Sequence, residues 1–256
     1  MMDRWIAFLT IVPSLMLFGC GQSGEVTSRT PASYDPDRLE TSSDLPTDRP
    51  LNVGFLIVDG VYNTELTAPY DLFHHTVFHT GDRPGMEVFT VAPTGETVTT
   101  FEGLRIVPHY VFADAPSIDV LVVPSAEGSM SHDLENEVLI GWVREVGGRA
   151  RHVVSLCDGA FVLAKAGLLA DHAVTTFPGD QDAFARMFPE LDLRREVSFV
   201  HDRRMLTSEG GAKSFDVAMY LIHHLYGQET AEGVGRGLII PWPPAAMTPT
   251  ATIVDR

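Results

Sequence analysis

Short apolar runs rich in β-branched residues alternate with longer amphipathic stretches along the chain after residue 50. The runs that predict buried strands lie at residues 51–58, 86–92, 118–124 and 152–156. The stretches that predict helices lie at residues 63–78, 135–146, 159–169, 181–188 and 212–226. A short run that is mainly apolar, without strict alternation, is typical of a strand covered on both faces, as in parallel sheets. The alternation therefore predicts an α/β domain built around a mostly parallel sheet.

Local signals add two details to this prediction. Thr64 or Asn63 is suited to cap the first helix, because short polar side chains accept hydrogen bonds from free helical amides. Residues 98–107 predict a small hairpin that turns at Glu102-Gly103.

The first 20 residues follow the charged, apolar, small-residue order of an export signal. Asp3 and Arg4 precede an apolar run at residues 5–18. This run is shorter than the roughly 20 residues that a transmembrane helix needs. Residues 1–20 therefore predict a signal peptide rather than an anchor helix.

The end of this segment, Leu17-Phe18-Gly19-Cys20, resembles the lipobox of bacterial lipoproteins. The resemblance implies that Cys20 is acylated after cleavage. The protein would then be exported to the periplasm or cell surface and anchored to a membrane by lipidated Cys20. An ordinary signal peptide, in which Cys20 has no role, is the alternative.

Composition divides the rest of the chain. Residues 21–50 are rich in Ser, Thr, Pro and Asp and poor in apolar residues, which predicts a disordered tether. Residues 51–228 carry the alternating pattern and form the predicted domain. Residues 229–256 predict a last helix followed by a loose, Pro-rich tail.

The net charge argues against one class of function, and the cysteine content limits the disulfides that can form. The net charge of -16 argues against nucleic-acid binding, which draws on clustered Lys and Arg. The chain has 2 cysteines, so acylation of Cys20 would leave no intrachain disulfide. Cys157 would then be a free thiol in an oxidising compartment, where a leftover thiol is a candidate for reactivity.

Cys157 follows the predicted strand at residues 152–156 and precedes the predicted helix at residues 159–169. A side chain at such a strand-to-helix turn is presented above the sheet, as in a nucleophile elbow. Backbone amides and the helix dipole there favour an anion, so we expect this thiol to ionise more easily than a free one. The alternative is a small buried cysteine without chemistry.

Several motifs share a pattern known from one superfamily. They are Ser155-Leu156-Cys157-Asp158-Gly159-Ala160, Glu65-Leu66-Thr67-Ala68-Pro69, Val122-Val123-Pro124, and Thr207-Ser208 with Gly210-Gly211. Together they resemble the ThiJ/PfpI superfamily over most of residues 51–227. The pattern is similar to that of isonitrile hydratases and of the N-terminal ligand domain of AraC-type regulators. The resemblance implies a flavodoxin-like three-layer sandwich of the class I glutamine-amidotransferase type.

The resemblance also implies roles for individual residues. Glu65 matches an acidic residue that hydrogen-bonds the cysteine and passes protons to the substrate. Ser125 and Ala126 match a Gly-Gly pair whose backbone amides form an oxyanion hole, to which the amide of Asp158 is added. A Cβ at Ser125 and Ala126 is expected to narrow the pocket.

Two departures from the superfamily pattern concern histidine. Peptidase and deglycase-like members carry a histidine beside the cysteine, where this chain has Asp158. Regulators of the AraC group have a histidine after a Thr-Thr pair, where Phe177 follows Thr175-Thr176. A Cys-His protease is therefore disfavoured.

The remaining histidines do not predict a metal site. His75 and His79 are four residues apart and His223 and His224 are adjacent, but neither group has a third ligand at a suitable spacing. We expect them to be surface or boundary residues. No metal and no cofactor are predicted.

Two functions stay open. The first is a cysteine-dependent hydratase or hydrolase of a small electrophilic compound, similar to isonitrile hydratase, with Cys157 as nucleophile and Glu65 as acid. The second is a non-catalytic periplasmic sensor of a ligand or of redox state on the same fold. The expected partners are a small molecule and, through the lipid anchor, a membrane. Oligomerisation also stays open, because relatives are commonly homodimers.

Overall fold

A mostly parallel sheet forms the middle layer of the protein, in a computed structural model that describes residues 32–33, 41–42, 45–243 and 251–254. Nine strands of this described part form the sheet. Numbered in chain order, they run from edge to edge as β1 (Ala32–Ser33), β13 (Ala251–Val254), β11 (Phe199–Asp202), β12 (Met205–Ser208), β8 (His152–Leu156), β7 (Val120–Val123), β2 (Leu51–Leu56), β3 (Met86–Ala92) and β6 (Tyr110–Val111). Only β1 with β13 and β11 with β12 pair antiparallel among these. The predicted α/β fold is confirmed.

Helices cover both faces of this sheet. One face carries α1 (Asn63–His75), α6 (Lys213–Tyr226) and α7 (Gln228–Leu238). The other face carries α3 (Glu137–Arg149), α4 (Gly159–Lys165) and α5 (Gln181–Met187). The shorter elements are the hairpin of β4 (Val98–Thr99) and β5 (Arg105–Ile106), the pair β9 (Ala173–Val174) and β10 (Asp192–Leu193), α2 (His132–Glu135), and 3₁₀ turns at Thr76–Phe78 and Pro178–Asp180.

Strand β7 shows why the apolar runs form the middle layer. Val120 and Val122 pack into the core under α1 and α6, whereas Leu121 and Val123 pack into the core under α3 and α4. All four side chains are fully buried. Each contributes about 1.5–3 kcal/mol relative to exposure in water. An alternating strand would leave one of the two helix layers without an apolar partner.

The predicted helix at residues 135–146 is interrupted at Asn136. Helix α2 ends at Glu135, and α3 begins after Asn136, whose Oδ1 accepts the amide hydrogen of Leu139 at 3.1 Å. Asparagine favours the N-cap because its side chain replaces a missing helical acceptor. The position of the N-cap residue Asn136, and not the spacing of the apolar residues, therefore determines where helix α3 begins.

The start of α1 also differs from its prediction. Tyr62 occupies the N-cap position, and within the described residues its side chain makes no capping hydrogen bond. Asn63 is instead the first helical residue, and its amide donates to Oε2 of Glu102 at 3.0 Å. The acceptor for the helix start thus comes from the hairpin and not from Thr64 or Asn63, because the carboxylate of Glu102 already binds the free amide of Asn63.

The predicted signal peptide at residues 1–20 and the predicted lipidation site Cys20 lie outside the described residues. Most of the tether predicted at residues 21–50 does so too. Its described parts are not free chain, because β1 joins the sheet and the amide of Ser42 donates to the carbonyl of His224 at 2.8 Å. In the part of the chain that the structure describes, no helix is long and apolar enough to cross a membrane.

The chain end differs from the predicted loose tail in one segment. Strand β13 pairs parallel with β11, with Asp202 opposite Val254. The sequence Ala-Thr-Ile-Val favours extended structure, and β11 offers a sheet edge that can accept a strand. The proline content of the preceding residues hides this local preference.

Three histidines, one each from β8, β11 and helix α6, lie close together. The ring centroids of His152, His201 and His224 lie 5.0–6.3 Å apart. His201 Nε2 faces the carbonyl of Arg203 at 2.6 Å, so this nitrogen donates, and Nδ1 accepts from the hydroxyl of Tyr220 at 2.7 Å. The hydrogen bonds therefore fit a neutral imidazole.

Burial keeps His152 and His201 uncharged. Burial and the neighbouring imidazoles lower the pKa of His152 to about 3, and burial lowers the pKa of His201 to about 4. His223, predicted at the surface or boundary, is 2% exposed. Helix α6 packs against both α1 and α7, so residues on both of its sides are covered.

We expect acid to destabilise the fold partly through His152. A histidine with a lowered folded pKa binds its proton first in the unfolded chain, so its stabilising effect is complete above about pH 6.5 and is lost as the pH falls towards 3. Between pH 7.5 and 4.5, the wild type should lose about 2–3 kcal/mol more unfolding free energy than His152→Phe, measured by urea unfolding. His74→Phe, at an exposed histidine, is the control. Equal losses in wild type and His152→Phe would contradict this role.

Candidate active site

The carboxyl ends of four adjacent strands bring the predicted site residues together. Strand β8 leads into Cys157, β7 leads towards Ser125, and β2 leads into α1, which carries Glu65. Strand β12 leads towards Gly210, which contacts Cys157. Ligands of open α/β sheets bind at this end of the strands.

Cys157 lies in a tight turn between β8 and α4. Its φ is 53°, a left-handed conformation that costs a residue with a Cβ about 1–3 kcal/mol. Its amide donates to the carbonyl of Ser208 at 2.9 Å. A Cβ on Gly210 would overlap the Cβ of Cys157, and one on Gly159 would overlap the carbonyl oxygen of Val123. Because Gly159 and Gly210 have no Cβ, the neighbouring backbone can pack closely around the cysteine.

Glu65 is buried beside the thiol, with 4% of its surface exposed. Its Oε2 accepts the amide hydrogen of Ser125 at 2.9 Å, and its Oε1 accepts that of Gly211 at 3.3 Å. The carboxyl also hydrogen-bonds the thiol of Cys157. Burial raises the pKa of Glu65, although the three hydrogen bonds oppose the change. The geometry provides a carboxyl group that retains its proton more readily than a free glutamate does.

The two amides predicted to form an oxyanion hole have other partners. The amide of Ser125 binds Glu65, and the amide of Ala126 donates to Oγ of Ser129 at 2.8 Å. The donors that reach the sulfur of Cys157 are the amide of Asp158 and the hydroxyl of Ser125. Of these two amides, that of Ala126 is thus satisfied within the loop after β7, and that of Ser125 is satisfied by helix α1.

The expectation that Cys157 ionises easily is wrong. Burial raises the pKa of the thiol far above that of a free cysteine, and the nearby charges of Glu65 and Asp158 raise it further. The hydrogen bonds from Asp158 and Ser125 act in the opposite direction but are outweighed. The turn has the expected position, but its surroundings are acidic and only 9% of Cys157 is exposed. The resting thiol is therefore neutral.

Asp158 occupies the place of the missing histidine. The hydroxyl of Thr176 lies 3.2 Å from Asp158 Oδ1 and 3.0 Å from the carbonyl oxygen of Cys157. Burial raises the pKa of Asp158 to about 7, and the carboxyl of Asp180 adds to this effect. Asp158 thus changes charge near neutral pH. Phe177 follows the Thr-Thr pair but is 44% exposed.

Sequence reasoning missed three residues of the site. Thr176 was noted only as the neighbour of an absent histidine, and Asp180 was not singled out. Tyr62 also lies close to the site. Burial raises the pKa of its phenol, and the charges of Cys157 and Glu65 raise it further. The Thr-Thr pair was the available signal, since a buried hydroxyl needs an acceptor.

Among the described residues, no three His, Cys, Asp or Glu side chains are grouped to hold a metal ion. A cavity of about 550 Å³ opens at the amino ends of the strands, opposite Cys157. Its charges are paired locally, with Arg49 on Asp119 at 2.6 Å and Arg149 on Glu145 at 3.0 Å.

Comparison with known proteins gives a consistent family match. The profile of the DJ-1/PfpI family matches residues 52–224. Isonitrile hydratase from Pseudomonas putida is 32% identical over 183 residues, which cover 71% of this chain and 75% of that protein. The HTH-type transcriptional regulator GbdR from Pseudomonas aeruginosa is 24% identical over 74% of this chain, and the match spans about half of the regulator, 51%.

Solved structures agree on the fold. A THiJ/PfpI family protein from Pseudomonas syringae superposes with a TM-score of 0.68 at 23% identity. The superposition covers 88% of this chain and 87% of that one. At this identity the likeness concerns architecture alone.

Gly210→Ala tests the close contact behind the cysteine. The added Cβ would overlap Cys157, and Gly210 has a φ of +77°, which disfavours any side chain. We expect a loss of about 1–3 kcal/mol in unfolding free energy and altered alkylation of Cys157. Gly148→Ala, at a helical glycine with open space around it, is the control and should be neutral or slightly stabilising. A Gly210→Ala protein as stable as the control would disprove the contact.

Asp158→Asn tests the contribution of the Asp158 charge to the thiol's high pKa. Asparagine preserves the shape and the acceptor for Thr176 but removes a charge near the sulfur. Alkylation of Cys157 at pH 8 should accelerate about tenfold for each unit by which its pKa falls. Mass spectrometry of the peptide that contains Cys157 separates it from Cys20. Asp182→Asn, 77% exposed in its side chain, is the control, and an unchanged or slower rate in Asp158→Asn would refute the explanation.

Proposed function

The chain belongs to the DJ-1/PfpI family, and within this family we propose that it is a cysteine-dependent hydratase or hydrolase of a small electrophilic compound, similar to isonitrile hydratase. The observation that carries the proposal is the hydrogen bond between the buried thiol of Cys157 and the buried carboxyl of Glu65. A nucleophile and a proton carrier in direct contact are the minimum for addition to a polarised carbon.

The raised pKa values of Cys157 and Glu65 determine the order of proton movements. With an isonitrile, the sulfur forms a bond to the terminal carbon while Glu65 gives its proton to that carbon. Glu65 takes up the S–H proton of Cys157 in the same step, so it ends as it began. The product is a thioimidate, R–N=CH–S–Cys157, and no separated thiolate has to form in the buried site.

Hydrolysis then completes the cycle. Water adds to the thioimidate carbon and one of its protons goes to the nitrogen. The C–S bond breaks, Cys157 recovers a proton, and the formamide R–NH–CHO leaves. Asp158, with a pKa of about 7, is suited to take and return a proton from the attacking water. The sum is R–NC plus water to R–NH–CHO.

The surroundings of Cys157 restrict the substrate. Only 9% of the residue is exposed, so the reacting group has to be slender. Asp158 acts on the thiol as a negative charge, and Asp180 acts on Asp158 in the same way. An anionic substrate would be repelled by these groups, so we infer that the substrate is neutral or cationic at its reacting end.

A ligand sensor is the second candidate, and the raised pKa of Cys157 favours it over a redox sensor. Oxidation to sulfenic acid proceeds through the thiolate, which is scarce here. The likeness to half of a transcriptional regulator fits a binding module. Such a module would bind its ligand stoichiometrically, without turnover.

Turnover of small isonitriles by the full chain tests the proposal. Cys157→Ala and Glu65→Gln should each lower the rate of formamide production by at least about 10²-fold, because each removes a partner of the first step. Glu87→Gln, at an exposed glutamate of β3, should leave the rate unchanged. Gas chromatography of the formamide gives the rate, and circular dichroism verifies the fold of each variant. Full activity in either site variant would reject the mechanism, and stoichiometric binding without product would favour the sensor.

A further inference from the structure

Helix α1 receives its N-terminal cap from another part of the chain. Oε2 of Glu102 accepts the amide hydrogen of Asn63, the first helical residue, at 3.0 Å. A helix has four amides at its start without helical acceptors, and a carboxylate there also interacts favourably with the helix dipole. Glu65 is two residues further on in this turn, so its backbone position depends on how the turn is held.

The hairpin presents Glu102 at a fixed place. The amide of Gly103, at φ +93°, donates to the carbonyl of Thr100 at 2.9 Å. The amide of Leu104 donates to Oγ1 of Thr100 at 2.9 Å, and the amide of Thr100 donates to the carbonyl of Leu104 at 2.8 Å. Three hydrogen bonds therefore define the turn that contains Glu102.

The same hairpin is bound to the segment between β2 and α1. The amide of Gly60 donates to the carbonyl of Thr99 at 2.8 Å, and the amide of Phe101 donates to the carbonyl of Val61 at 3.0 Å. The rings of Tyr62 and Phe101 lie 4.7 Å apart at their centroids. The hairpin and the start of α1 thus form one hydrogen-bonded unit.

We propose that Glu102 is a positioning residue for Glu65: by binding the first amide of α1, it holds the helix start so that the Glu65 carboxyl meets Cys157. Glu102 is exposed and need not contact the reacting atoms. Its effect on turnover rests on the proposed function, whereas its effect on Glu65 does not.

The charge of Glu102 has a second consequence. It contributes to raising the pKa of Glu65, after the larger effect of burial. Glutamine at position 102 would keep an acceptor for Asn63 but remove this charge. Alanine would remove both the acceptor and the charge. The two substitutions therefore separate positioning from charge.

The test is a pH titration of the Glu65 carboxyl in the full chain labelled with ¹³C-glutamate, with Glu65→Gln used to assign its resonance. Glu102→Gln should shift the Glu65 midpoint to lower pH with an almost unchanged Tm. Glu102→Ala should also move the resonance itself, because the helix start is released. Its Tm should fall by about 2–4 °C, as expected for a lost cap.

Glu96→Gln, at an exposed glutamate just before the hairpin, should match the wild type. A lower Tm in Glu102→Ala with an unchanged Glu65 resonance would indicate a cap alone and overturn the proposal. So would wild-type behaviour of both Glu102 variants. Cys157 alkylation that is equal in wild type and Glu65→Gln would instead refute the Cys157–Glu65 coupling, and with it the proposed function.

Discussion

A carboxyl group and a thiol buried side by side can coexist only if at least one of them keeps its proton. Two adjacent buried anions would each lose hydration and repel each other, at a cost of several kcal/mol. Cys157 and Glu65 meet this constraint through their shared hydrogen bond and raised pKa values. The amides of Ser125 and Gly211 satisfy the other acceptor positions of the carboxyl. The arrangement therefore depends on backbone donors that come from two separate strand ends.

These contacts also occupy the two amides of the loop after β7 that were expected to form an oxyanion hole. The amide of Ser125 cannot stabilise an oxyanion while it binds Glu65, and the amide of Ala126 is held by Ser129. The proposed hydratase would therefore rely on proton transfer from Glu65 more than on a preformed oxyanion hole. Addition to an isonitrile fits that requirement, because the first step protonates carbon and creates no alkoxide. Peptide hydrolysis fits it less well, since its intermediate carries an oxyanion.

The fold could be predicted from the sequence because a strand covered on both faces is recognisable as a short, mainly apolar run. The strand at His152–Leu156 was predicted with its observed bounds, since Val153, Val154 and Leu156 form a short apolar run that ends at Cys157. The proximity of Cys157 and Glu65 followed from family resemblance and could not have come from spacing, as 92 residues separate them. The raised thiol pKa was missed because it depends on burial and on two carboxyl groups, one of which, Glu65, is distant in sequence. The cap by Glu102 was missed for a similar reason: it joins residues 39 apart.

Asp158 decides between the chemistries that a cysteine at this turn could perform. A protonated histidine in its place would stabilise the thiolate and prepare it for oxidants or for acyl transfer. A carboxyl group does the opposite, and it gains its charge near pH 7, where a thiolate would otherwise begin to form. A thiol kept neutral in this way reacts best when its proton leaves as the sulfur attacks, which requires the acceptor to be in contact beforehand. In the proposed reaction Glu65 is that acceptor, so the carboxyl group of Asp158 and the buried acid of Glu65 are consistent with a single mechanism.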